Sequence, residues 1–283
     1  MVRRTCLLAA LVVLGGCIDT ATEPISMPLS VSGTSVADDL PARGDVTVTL
    51  ERADLVFGPL TFCAGFLAGD NCSTALVEWT DSVVVDTLDP TPVSVGELIG
   101  VSGTARSYMY DLGYVSLLVT TEPLELAAAA ELDGSSLVLE GVAHIADDRI
   151  AWRYSTRFVQ PADVERGVPI VRSRRDSGFE RTLSDGDPIT VRVDPSSWFA
   201  SASFASLRQD EVCSEPGTTV CGGQVERRCS DGDPIERDCE SEGLVCQPDV
   251  GCTDRILIED GSQIGSAIRT AILAGVRPSF EGD

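Results

Sequence analysis

Apolar residues in this chain recur mostly at every second position. Leu29-Ser30-Val31-Ser32 alternates, and Val46-Thr47-Val48-Thr49-Leu50 sets its apolar side chains on one side, the pattern of half-buried strands. Within Ala75–Leu88 the run Val83-Val84-Val85 is β-branched throughout and predicts a buried strand. The stretch LELAAAAELDGSSLVLEGVAHI, residues 124–145, reads as a hairpin. Ala127–Ala130 has helical propensity, but Asp133-Gly134 is a strong short-turn pair, and Leu137, Leu139, Ala143 and Ile145 then keep a period of two. A second turn at Asp147-Asp148 leads into Ile150, Trp152, Tyr154, Thr156 and Phe158, all on one face, so the pattern continues as a meander. Further strands are expected at Val168–Val171, where Pro169 implies an edge, and at Ile189–Val193.

One stretch changes period. In GSQIGSAIRTAILAG, residues 261–275, Ile264, Ala267, Ile268, Ala271 and Ile272 form a stripe at helical spacing. Asp260 with Gln263 offers a capping-box-like start, and Gly275 followed by Pro278 supplies the stop. Such a stripe needs a surface to cover, and a β body upstream is the large one available. The chain is therefore expected to return to that body near its C-terminal end.

Between body and helix lies a segment of another kind. Residues 213–252 carry Cys213, Cys221, Cys229, Cys239, Cys246 and Cys252, with no aromatic residue and no histidine. Too few aliphatics are present for a core, so three disulfides are expected to replace one. Six cysteines allow fifteen pairings, among which sequence does not choose. Zinc is disfavoured because no CxxC pair and no histidine occur there. Cys63 and Cys72 flank the turn-rich FLAGDN, and a bridge closing that loop contributes roughly 2.5–3 kcal/mol by chain entropy. The predicted fold is mainly β: an antiparallel β-sandwich with one C-terminal helix and an inserted disulfide-rich module.

The first residues read as an address. Arg3 and Arg4 precede an apolar run from Cys6 to Leu14, then Gly15, Gly16 and Cys17. The run is too short to cross ~30 Å of hydrocarbon, which takes about 20 residues; its layout is that of a secretory signal. Leu14-Gly15-Gly16-Cys17 resembles the bacterial lipoprotein signal. That resemblance implies a diacylglyceryl group on the Cys17 thiol, with Cys17 as mature N-terminus and membrane attachment through acyl chains such as palmitate. Asp19 stands one place later than the inner-membrane retention signal of that family, so outer-membrane placement is implied. The expected organisation is a signal peptide over 1–16, a lipidated tether over 17–27, a β-sandwich body over 28–212, the module over 213–252, and a returning helix and strand over 253–283. The cysteine run of the module, with GVSGTARSYMYDLGY and VDPSSWF in the body, resembles uncharacterised outer-membrane lipoproteins of myxobacteria-type bacteria, a resemblance that brings no activity with it.

Charge narrows the partners. The 21 basic residues, every one an arginine, face 44 acidic ones. Losing the leader takes the formal net charge from −23 to −25. Phosphate backbones repel such a surface, so no nucleic-acid partner is expected, and without a glycine-rich loop after a strand no nucleotide is either. With Cys6 in the leader and Cys17 lipidated, eight of the ten cysteines remain, an even number that suits an oxidising compartment. Candidate chemistry is sparse. His144 is the sole histidine and falls on the strand side opposite Ala143 and Ile145. SDGDPI occurs at Ser184–Ile189 and Ser230–Ile235, making Asp185, Asp187, Asp231 and Asp233 candidate oxygen ligands for calcium, although Asp-Gly turns explain both copies. Tyr108, Tyr110 and Trp79 suit either a sugar-stacking platform or a core. The reading is a non-enzymatic, lipid-anchored envelope protein that binds a protein or glycan or serves a structural role. A secreted hydrolase with paired carboxylates and a calcium-dependent adhesin are the alternatives.

Overall fold

A computed structural model of the chain describes residues 22–65, 72, 74–115, 124–159, 179–207, 219–228, 235–247, 250–275 and 279–281. Cys17 and the leader, the FLAGDN turn, the expected strand at Val168–Val171, Cys213, Cys229, Asp231 and Asp233 lie outside the described residues.

From the N-terminal side the strands are β1 (Pro24–Ser32), β2 (Leu40–Pro41), β3 (Val46–Phe57), β4 (Leu60–Cys63), β5 (Ala75–Trp79), β6 (Val83–Asp86), β7 (Val93–Val101), β8 (Gly103–Ala105) and β9 (Ser107–Tyr110). The middle adds β10 (Tyr114–Val115), β11 (Leu124–Glu125), a short helix α1 (Ala127–Ala130), β12 (Leu137–Ile145), β13 (Asp148–Thr156), β14 (Arg181–Leu183) and β15 (Ile189–Arg192). The cysteine-rich segment folds as β16 (Thr219–Gly222), β17 (Val225–Arg228), β18 (Ile235–Asp238), β19 (Val245–Gln247) and β20 (Gly251–Thr253). After it come β21 (Ile256–Ile258), α2 (Gln263–Gly275) and β22 (Ser279–Glu281).

Two large sheets form the body. One runs β22-β15-β1-β7-β5-β4-β9; the other runs β2-β3-β12-β13-β21, with β6 also paired to β3. The protein is mainly β, a sandwich whose inner faces share one continuous apolar cluster that also takes in Ile264, Ile268 and Ile272 of α2. Most neighbours are antiparallel. Among the described residues two strand pairs are parallel, Leu29↔Ile189 between β1 and β15 and Trp152↔Ile256 between β13 and β21. In both, the partner strand arrives much later in the chain, which leaves room for the long connection that parallel pairing needs.

The alternating patterns become strands with the expected inward faces. Ile150, Trp152, Tyr154, Thr156 and Phe158 are all buried, and β12 and β13 meet in a tight turn at Ala146 and Asp147. Gly141 sits at a register shift between β12 and β3, where a Cβ would stand 2.3 Å from the Thr49 carbonyl oxygen and 3.2 Å from the Trp152 ring. The absent side chain lets that indole lie flat in the core. Trp152 in turn packs on Phe199 and Phe204 at ring separations of 5.9 and 5.2 Å. Tyr108, Tyr110 and Trp79 are buried, so these aromatics belong to the core and form no exposed platform.

Two expectations need correction. First, 124–145 is not a hairpin: β12 pairs with β3 and β13, and Ala127–Ala130 is helical. Asp133-Gly134 is instead the stop of that helix. Both residues take positive φ, 54° and 75°, and the Gly134 N–H returns to the Ala129 carbonyl at 2.9 Å, as in a left-handed helix C-cap. The local turn chemistry was legible, but not which element it ends. Second, β1 starts at Pro24, inside the span read as a tether ending at residue 27. Ile25 and Met27 are buried there; Pro28 is tolerated because pairing to β15 begins one residue later, at Leu29.

The module is an insertion. Its strands form a three-stranded sheet β16-β17-β18 and a β19-β20 pair, and its centre is the buried sulfur of Cys221, Cys239 and Cys246. Cys221 is bridged to Cys246 and Cys239 to Cys252, while Cys63–Cys72 closes the β4–β5 connection in the body. The Glu226 carboxylate is buried between Arg228 Nε at 2.7 Å and the Cys252 N–H at 3.1 Å. The Arg228 hydrogen bond is the main influence holding it below the usual carboxylate range. The chain then leaves through Arg255, whose guanidinium lies 2.7 Å from Glu51 and 3.6 Å from Glu140 on the outer face of the body.

Because α2 is part of the body's core, cutting its central contact should weaken the whole fold. Ile268→Ala is expected to lower stability by about 2–5 kcal/mol in a single cooperative transition, read by chemical denaturation followed through tryptophan fluorescence.

Candidate functional site

The recess that stands out is built where β13 ends and α2 begins. Thr156 closes the inward row of β13 after Ile150, Trp152 and Tyr154 and is buried there. Its hydroxyl donates to Asp260 Oδ1 at 2.8 Å, and the Tyr154 hydroxyl donates to the same oxygen at 2.7 Å. The other carboxylate oxygen of Asp260 receives Arg269 Nη1 at 3.0 Å. Asp260 is thereby occupied with β13 and does not cap α2. Ser262 does: its hydroxyl oxygen accepts the Gly265 N–H at 3.1 Å, and the Asp260–Gln263 capping box read from sequence is not formed.

Arg269 is fixed from several sides. Its Nη1 also donates to Thr156 Oγ1 at 3.0 Å and to the Arg157 carbonyl at 2.8 Å, and its Nη2 donates to the Val159 carbonyl at 3.0 Å. The guanidinium lies over the Phe158 ring, 5.8 Å from its centroid, which adds a cation–π attraction. Burial, and next the hydrogen bond to Asp260, push the Tyr154 phenol above its ordinary range, so it stays a neutral donor.

In front of this clasp opens a recess of about 510 Å³ lined by Ser135, Ser155, Thr156, Arg157, Val159, Asp260 and Arg269. Strand alternation turns Ser155 and Arg157 outward while Thr156 points in. Among the described residues the Arg157 guanidinium has no ion pair, and the Ser135 and Ser155 hydroxyls have no hydrogen bond. Gly134 makes room for Arg157: a Cβ there would stand 2.8 Å from its Nη2. The helix stop that replaced the expected hairpin turn thus shapes the wall of the recess. Chemically the site offers two guanidinium groups, hydroxyls and one carboxylate. It can hold a ligand that both accepts and donates hydrogen bonds.

The residues singled out from sequence fall elsewhere. His144 is half-buried on the outer side of β12, with Nε2 2.9 Å from Thr49 Oγ1. Asp185 accepts the Ser26 N–H at 2.8 Å, and the adjacent Gly186 N–H donates to the Ser26 carbonyl at 2.8 Å. Asp187 donates its backbone N–H to the Ser184 carbonyl. The first SDGDPI is therefore a turn clasping β1. Among the described residues, one group of three metal-ligating side chains converges within 4.8 Å: Glu226, Cys239 and Cys252. Both cysteines there are spent in the disulfide they share. Sequence reasoning did not find Arg157 or Arg269. The signal available was Thr156 on an apolar face, together with an arginine directly beside the helix stripe.

No family model and no curated protein matches the chain. A solved structure that it does match is MbnP from Methylosinus trichosporium, with a TM-score of 0.31 and 13% identity over 64% of this chain and 79% of that one. A likeness that faint says nothing of what this chain binds.

One carboxyl is strongly perturbed away from the recess. Asp111 is buried beside the Gly58-Pro59 turn, its backbone bonded to both residues, and burial raises its pKa from 3.8 to about 7. The folded state thus holds a proton that the unfolded chain gives up above pH ~4. The stabilising contribution is complete below pH 3.8 and is lost as pH rises to about 7. Asp111→Asn removes this dependence. Its stability relative to the parent is expected to rise between pH 4 and 8, by up to about 4 kcal/mol, as read by urea denaturation across that range.

Proposed function

We propose that the chain is an exported, lipid-anchored protein of a bacterial cell envelope that binds a partner and performs no covalent chemistry. The observation that carries the exported part is the set of cystines. Cys63–Cys72 lies in the body, and Cys221–Cys246 and Cys239–Cys252 lie in the module. Disulfides persist in oxidising compartments and are rare in the cytosol. In the module they stand in for a core that the composition does not supply, so the fold itself depends on such a compartment. The recess beside α2 supports the binding part. Its volume falls within the ~300–1,000 Å³ usual for small-ligand sites.

Anchoring at Cys17 follows from the signal-like leader. With β1 starting at Pro24, the connection to a lipidated Cys17 reaches at most about 25 Å when extended. The body would therefore rest close against the bilayer surface, with outer-membrane placement as the reading that residues 18 and 19 favour.

Cells expressing the chain and fed an alkyne analogue of palmitate test the anchor. The intact protein is expected to take up label, and Cys17→Ala to remain unlabelled and become soluble. An unlabelled parent protein, or equal labelling of both, would refute lipidation at this residue.

A further inference from the structure

We propose that the recess beside α2 binds a carboxylate-bearing sugar, a uronic-acid unit of an acidic glycan, with Arg157 holding its carboxylate. This deepens the reading of the chain as a binding protein and rests on it; the binding itself is independent of where the protein resides.

The composition of the walls selects the ligand. Arg157 is an exposed guanidinium without an ion pair among the described residues, in a chain where acids outnumber bases by 44 to 21. A guanidinium presents parallel N–H donors that match a carboxylate in two-point fashion. Next to it stand the Ser135 and Ser155 hydroxyls, free of hydrogen bonds among the described residues. Arg269 supplies a second, rigid cation on the same wall, its position fixed by Thr156, Asp260 and two backbone carbonyls.

Asp260 narrows the class further. Its side chain is 46% exposed and accepts hydrogen bonds. A dense anion without donors, such as sulfate, would face it in repulsion. A sugar acid meets both demands, its carboxylate toward Arg157 and its ring hydroxyls toward Asp260 and the serines. A neutral sugar lacks the first contact and has no aromatic face to stack on, because Phe158 is fully buried beneath Arg269. At about 510 Å³ the recess takes one or two sugar rings.

The test titrates the purified, disulfide-intact chain with glucuronate, with glucose and acetate as controls, and follows backbone amide resonances. Expected are saturable shifts with glucuronate at Ser155–Val159 and Asp260–Arg269, with glucose and acetate each at least tenfold weaker. Arg157→Ala is expected to weaken glucuronate at least tenfold, while Arg149→Ala, at an exposed arginine elsewhere on β13, leaves it unchanged. Absence of shifts at tens of millimolar, shifts mapping elsewhere, or glucose binding as tightly would overturn the proposal. So would equal binding of acetate, which would point to a bare carboxylate such as a peptide terminus, or equal weakening by Arg149→Ala. None of these outcomes bears on palmitate labelling, so failure of the ligand and failure of the anchor are separately visible.

Discussion

The inward row along β13 and just past its end carries Trp152, Tyr154 and Phe158, large side chains that need a cover. Trp152 has Phe199 and Phe204 from ahead of the cystine module, and Tyr154 and Phe158 are covered from beyond it. Strand β21 pairs alongside β13, and α2 sets Ile264, Ile268 and Ile272 into the shared core. The polar half of the same contact is Asp260, which gathers the hydroxyls of Tyr154 and Thr156 and the guanidinium of Arg269 onto one carboxylate. Two buried hydroxyls that would cost free energy if left unpaired, and a partly exposed guanidinium, are thereby satisfied together. The cystine-bridged strands β16 to β20 are then obliged to loop out and come back. The module is stapled by its own bridges, and its exit is fixed to the body through Arg255.

The same contact makes the recess. Arg269 anchors the end of β13 through the Arg157 and Val159 carbonyls, and alternation beyond Thr156 turns Arg157 outward. Its walls come from the end of β13 and from α2, and from the turns beside them that carry Ser135, Arg157 and Asp260. It also brings two arginines together beside one carboxylate on a strongly acidic molecule.

Much of this was legible in the sequence. The period-two runs gave the inner faces of β1, β3, β12 and β13, and the period-3.6 stripe of α2 required a return to the body. What misled was local chemistry with more than one use. Asp133-Gly134 has the composition of a hairpin turn and serves as a helix stop, because the four alanines before it close a helical turn that packs Ala128 and Ala129 inward. Asp260 has the position of a helix cap and serves the sheet, because Ser262 is better placed to accept the Gly265 N–H. The recess could not be read in advance for a plain reason. Its walls come from positions 134–135, 155–159 and 260–269, which only the tertiary fold brings together, and arginine and serine carry no spacing motif.

The dependence of the body on its returning segment can be tested by one truncation. A chain ending at Thr253 keeps the module's Cys221–Cys246 and Cys239–Cys252 bridges and loses β21, α2 and β22. It is predicted to lose cooperative thermal unfolding and the near-ultraviolet circular dichroism of the buried tryptophans. A truncated chain that still melts cooperatively, with the tryptophan signal of the full-length protein, would contradict the claim that the body is closed from its C-terminal side.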